Sequence, residues 1–126
     1  MTATYFDPDT VIRLVGDAVT APSMHNAQPW KFVFPIGGGA LALYGDPERA
    51  MTRTDPNHRG LHLGCAAALF NLRVSAAWIG LPVRVQLLPD DAEPWPLATV
   101  TIDESTGTDR ELASLHDALR RRHTNR

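Results

Sequence analysis

The sequence predicts an α+β fold in which small antiparallel β segments pack on a long central helix. Two observations carry this expectation. Helical and strand-like patterns follow one another in the order α, β, β, α, β, β, α, with each pair of strands separated by a short stretch of turn-forming residues. The middle helix, about residues 57–80, is rich in small residues such as Gly60, Gly64, Ala66, Ala67, Ala68, Ser75, Ala76 and Ala77 and is apolar around most of its circumference. Such a helix is buried between other elements or against another subunit, because small residues let backbones approach closely.

The first helix is announced by Asp7-Pro8-Asp9-Thr10, an N-cap candidate followed by a proline in the first turn, where a missing N–H costs nothing. Val11, Leu14, Val15, Ala18 and Val19 then recur at helical spacing and form one apolar stripe, which ends before Pro22. The aromatic and β-branched run 30–34 and the run 40–44 read as a β-hairpin across Gly37-Gly38-Gly39. That glycine triplet is a turn rather than a phosphate loop, since no Lys-Ser or Lys-Thr pair and no helix follows it.

Asp55-Pro56 repeats the cap-plus-proline signal before the long helix. Residues 83–88 alternate as a half-buried strand does, and residues 97–102 pair with them across a proline-rich turn. Thr108 and Glu111 have the spacing of a capping box for a last helix that turns Leu112, Leu115 and Leu119 inward and ends in an arginine cluster.

The bulk numbers bound the function classes. A chain of 126 residues, 44% hydrophobic and 21% charged, is expected to be one globular domain over residues 1–126. Twelve basic against fourteen acidic residues argue against a general nucleic-acid binder. The charge is uneven: residues 90–104 are acidic, whereas Arg120, Arg121, Arg122, His123 and Arg126 crowd together, so an anion site belongs there. The lone Cys65 fits a reducing cytoplasm and, among small neighbours, is expected to be inert. No secretory signal is read at the N-terminus, and His62, Asn71 and Arg73 interrupt the longest apolar stretch against a membrane span.

Chemistry concentrates between the first helix and the first strand. Pro22, Ser23, Asn26, Gln28 and Pro29 place hydroxyl and amide groups on a restricted backbone, which suits a polar planar ligand: amides pair with ring carbonyls and nitrogens, and a hydroxyl reaches a ribityl chain or phosphate. The same residues also suit a loop held by its own Asx and Ser turns. His58 and His62, four apart, lack a third metal ligand at convincing spacing. Ser23, His25 and Asp55 lack the glycine-flanked elbow of a hydrolase nucleophile.

The run Ala21-Pro22-Ser23-Met24-His25-Asn26-Ala27-Gln28-Pro29-Trp30 resembles the Ala-Pro-Ser-Ser-x-Asn-x-Gln-Pro-Trp signature of the nitroreductase superfamily. His25, Asp55-Pro56 with Arg59-Gly60, and the closing Arg122-His123-Thr124-Asn125-Arg126 look most like the Acg-like actinobacterial branch. The resemblance spans nearly the whole chain as the N-terminal part of a longer family domain. It implies an incomplete flavin domain that is completed by oligomerisation, as a homodimer or hetero-oligomer.

It further implies FMN as cofactor, contacted by Pro22, Ser23 and Asn26. His25 fits the variant motif without a catalytic role, and no other side chain is assigned one. Gln28 belongs to the motif's cofactor set, although it and Trp30 stand where the loop enters the hairpin and are assigned to packing as well. The closing run resembles the basic Arg-x-Ser-x-Arg segment that grips the flavin phosphate. Arg122 and Arg126 would give charge-assisted bonds and Thr124 a third, with His123 between them. The same cations would also complement a helix dipole.

The activity implied is hydride transfer from NAD(P)H through FMN to a nitro compound or quinone-type acceptor, in a ping-pong sequence, with the polypeptide supplying binding, orientation and electrostatics. The alternative is a non-catalytic flavin-sequestering protein or an accessory subunit of a larger flavoprotein.

Overall fold

The computed structural model describes residues 6–21, 28–34, 39–49, 59–87 and 95–121. Helix α1 (Pro8–Ala18) starts as its sequence requires. The Asp7 carboxylate accepts from the Thr10 backbone N–H at 2.8 Å and from the Thr10 hydroxyl at 3.0 Å, and these bonds hold its pKa below the ordinary value. Leu14 and Ala18 are buried and Val11 and Val15 pack against the same core, while Val19, at the C-cap, is exposed.

Both expected hairpins are present. β1 (Trp30–Val33) pairs antiparallel with β2 (Ala40–Gly45), Trp30 opposite Gly45 and Val33 opposite Ala42. β3 (Val83–Leu87) pairs antiparallel with β4 (Pro96–Ile102), Val85 opposite Val100. The two hairpins join through β2 and β4, giving one four-stranded sheet in the order β1-β2-β4-β3. Leu41 faces Val100 and Leu43 faces Ala98 across this seam, and a bulge follows between Leu43 and Tyr44. Residues 37 and 38 of the glycine turn lie outside the described residues.

Helix α2 (Arg59–Trp78) packs against α1 and the sheet. Its Leu61, Cys65, Ala68, Leu69, Leu72 and Ala76 join Leu14, Ala18, Leu41, Leu43 and Val100 in the core. It ends at Gly80, whose φ of +76° allows the Gly80 N–H to reach the Ala77 carbonyl and the Leu81 N–H to reach that of Ala76. The Asp55-Pro56 start signal lies outside the described residues.

The C-terminal region differs from expectation in two ways. The cap is Asp109, not Thr108: its carboxylate accepts from the backbone N–H groups of Glu111 at 2.9 Å and Leu112 at 3.2 Å. The single last helix is split into α3 (Arg110–Ala113) and α4 (His116–Arg121). At the break the Ser114 hydroxyl donates to the Glu111 carbonyl at 2.6 Å and the Leu115 N–H bonds to the Leu112 carbonyl, so local bonding replaces a continuous helical ladder. The phase change leaves Leu115 exposed, Leu112 half-buried and Leu119 buried, and turns His116 into the interior.

Candidate functional site

Gln28 is the member of the predicted cofactor set that lies among the described residues. Pro22, Ser23, His25 and Asn26 of the first motif, and Arg122, His123, Thr124 and Arg126 of the second, lie outside them, as do Asp55 and His58. The described residues define how each motif segment is held where the chain enters or leaves it.

The first motif is anchored on α2 at both ends. At its entry the Thr20 hydroxyl donates to the Asp17 carbonyl at 2.7 Å and is met by the Asn71 amide of α2 at 3.3 Å, and Ala21 is buried. At its exit the Pro29 carbonyl accepts from the Asp46 N–H at 2.7 Å and faces the Cys65 thiol of α2 at 3.8 Å. Arg49, on the short 3-10 turn Pro47–Arg49, donates through Nη1 to the Gln28 carbonyl at 3.3 Å, and its Nε lies 3.7 Å from Asp46.

Gln28 itself has φ +50°, in the left-handed region that a residue with a Cβ enters only when its surroundings impose it. Here those surroundings are visible: the carbonyls of Gln28 and Pro29 are both pinned. Trp30 is buried at the start of β1, which bears out its assignment to packing.

A second anchor was not legible in the sequence. Asp17 of α1, Ser75 of α2 and His116 of α4 meet in the interior, each less than a tenth exposed. The Ser75 hydroxyl donates to Asp17 Oδ2 at 2.6 Å, and His116 Nε2 lies 3.2 Å from the same oxygen. The His116 ring stacks on Trp78 with centroids 4.8 Å apart and planes 1° from parallel. Although the three residue types are those of a hydrolase triad, the carboxylate stands between serine and histidine, so the imidazole has no contact through which to deprotonate the hydroxyl. The arrangement joins three helices rather than activating a nucleophile.

Other features bear on chemistry less directly. An apolar cleft of about 300 Å³ is lined by Leu43, Cys65, Leu69, Leu97 and Ala98, with exposed His62, Ala66 and Leu87. Burial pushes the Cys65 thiol up to about 12, which suits the inert role expected of it. A second cleft of about 400 Å³, lined by Trp30, Lys31, Asp46, Glu48 and Arg49, lies beside the motif exit and is of mixed charge. Among the described residues, no three His, Cys, Asp or Glu side chains gather as a metal site, and no helix is long and apolar enough to cross a membrane.

A Mycobacterium tuberculosis protein provisionally named an NAD(P)H nitroreductase is 36% identical over 121 residues, 95% of this chain and 34% of its own length. A second from that organism, provisionally named the NAD(P)H nitroreductase Acg, is 31% identical over 126 residues, all of this chain and 38% of its own. This chain is homologous to both of these proteins over 95% or more of its own length.

The homologue spans about a third of the length of these curated relatives. Its α+β fold is also that of solved nitroreductase-family structures. A Streptococcus pneumoniae nitroreductase-family protein superposes with a TM-score of 0.61 at 20% identity, over 86% of the homologue and 84% of that chain. A Desulfovibrio desulfuricans protein provisionally named a nitroreductase, solved in complex with FMN, superposes with a TM-score of 0.61 at 18% identity, over 86% and 82% of the two chains. No family model matches the homologue.

Proposed function

We propose that this chain contributes the flavin-binding part of a nitroreductase-like oxidoreductase that carries hydride from NAD(P)H through FMN to a nitro compound or quinone-type acceptor. The observation that carries the reading is the motif at residues 21–30, supported by the curated nitroreductase relatives and by the tethering of both its ends to α2. The tethers on Thr20 and Pro29 limit the span of chain whose freedom a bound ligand has to restrict.

In this reading Pro22, Ser23 and Asn26 contact the flavin, Ser23 and Asn26 at the ribityl chain or ring atoms, and His25 and Gln28 belong to the same motif. Arg122, Thr124 and Arg126 hold the phosphate, and His123 lies within the same segment. FMN, when bound, supplies the hydride chemistry. The chain's own residues bind and orient it, and none is required to act as general acid or base. The whole chain works as one unit, in the cytoplasm, and associates as a homodimer or hetero-oligomer through apolar surface on α2.

A flavin-sequestering protein or accessory subunit is the second reading, motivated by the share of the relatives' length that the chain spans. One experiment separates the readings. Purified with FMN, the chain is expected to be yellow and to bleach anaerobically when NADH or NADPH is added. A yellow protein that does not bleach supports the accessory reading, and a colourless protein that fails to take up added FMN overturns both.

A further inference from the structure

We infer that residues 103–121, which carry α3 and α4, form a strap that opens and closes on its own while α1, α2 and the sheet stay folded, with the buried Asp17–Ser75–His116 cluster as its latch. Among the described residues, the last one packed on the apolar core is Ile102, at the end of β4. From there to Leu115 no residue is buried, and α3 buries none at all. The two helices are four and six residues long, too short to be stable alone.

The strap is also loosely seated. A cleft of about 360 Å³ separates it from α2, with Arg73 and Ala77 on the α2 side and Thr106, Thr108 and Leu112 on the other. Its side-chain hydrogen bonds are short-range ones, Ser105 to Asp103, Leu112 to Asp109 and Ser114 to Glu111, which shape the strap without tying it down. Few buried apolar contacts and local bonding are what a segment needs to open below the free energy of global unfolding.

The strap enters the interior at α4, through His116 and Leu119. Neither is part of the apolar core. His116 Nε2 meets Asp17 Oδ2 at 3.2 Å, the oxygen that also accepts from Ser75 at 2.6 Å, and its ring stacks on Trp78. Such bonds are directional and are made in one seating of α4. Their net strength is modest, because water replaces the lost partners when the strap lifts. A polar latch therefore specifies where α4 docks without making release as costly as exposing an apolar core. Asp117, next in the chain, has an interaction of its own, and its share is measured separately.

Native-state hydrogen exchange of the full chain, read by NMR, tests both parts. The Leu119 amide, bonded to the Leu115 carbonyl, is expected to be protected but to exchange at least about a hundredfold faster than that of Leu72 in the middle of α2, each relative to its unstructured rate. Val100→Ala, in the core, should speed exchange at Leu72 and leave Leu119 unchanged, since the strap opens with the core intact. His116→Phe keeps a ring against Trp78, removes the nitrogen and should speed exchange at Leu119 about tenfold or more. Asp117→Asn should change it by less than about threefold.

Equal protection of Leu119 and Leu72, or a Val100→Ala effect of the same size on both, would show that α3 and α4 unfold only with the whole chain and overturns the strap. A His116→Phe chain without a folded core does the same, because releasing the latch is expected to leave that core standing. An unprotected Leu119 amide in the wild-type chain, no response to His116→Phe, or a larger response to Asp117→Asn overturns the latch.

Discussion

At Cys65 the thiol sits in the core, 1% exposed, with the Pro29 carbonyl as its polar neighbour. A buried thiolate there would lose its hydration without gaining a cation, so burial raises the pKa from 9.0 to about 12. Near neutral pH the buried thiol therefore carries far less thiolate than an exposed cysteine does. The native protein is therefore expected to react with a disulfide reagent at pH 8 at least about a hundredfold more slowly than the urea-unfolded chain. Comparable rates in the two states would show that the thiol is open to solvent.

The sequence made this residue legible because its small neighbours already implied close packing. It gave no such signal for Asp17, Ser75 or His116. Each has an ordinary setting in its own helix, and the bonds joining them cross 58 and 99 residues, distances at which local periodicity carries no information. The left-handed Gln28 was equally hidden, because glutamine does not mark such a backbone as glycine does.

Among the elements, those defined by local pattern emerged as read: the capped first helix, both hairpins, and the long helix closed by Gly80. The seam between β2 and β4 did not, since alternation tells which face of a strand is buried and not which strand lies beside it. The split of the last helix was missed because neither proline nor glycine marks it; Ser114 ends α3 through its own side chain.

Packing of the long helix on the sheet gives a test at this scale. A Cβ added at Gly45, on β2, would lie 2.9 Å from Leu61 Cδ2 and 3.4 Å from the Trp95 ring. Gly45→Ala should therefore destabilise the fold by about 1–3 kcal/mol in urea titration, the usual cost of overpacking. Since the nearest obstacle is the tip of one side chain, adding Leu61→Ala should make the double variant more stable than the two single losses sum to. Strict additivity would mean that the clash is relieved elsewhere, by movement of β2.

For the molecule as a whole, what its core leaves uncovered bears on how it assembles. Leu63, Ala66 and Phe70 follow one another at helical spacing along the exposed side of α2, with Leu63 63% and Phe70 44% exposed. The small-residue composition that predicted burial of this helix on most faces is thus satisfied on one side by α1 and the sheet, and left open on the other. A stripe of this kind on a stable helix is where the proposed self-association or hetero-association would bury surface. The chain is expected to exceed monomer mass in light scattering at micromolar concentration. Leu63→Glu with Phe70→Glu should return it to monomer with a urea midpoint little changed, because both side chains are already exposed in the folded chain. Loss of folding in the double variant would mean that association supplies part of the stability, and the midpoint of the wild-type chain should then rise with protein concentration. A wild-type chain that is monomeric at these concentrations would remove self-association from the proposal.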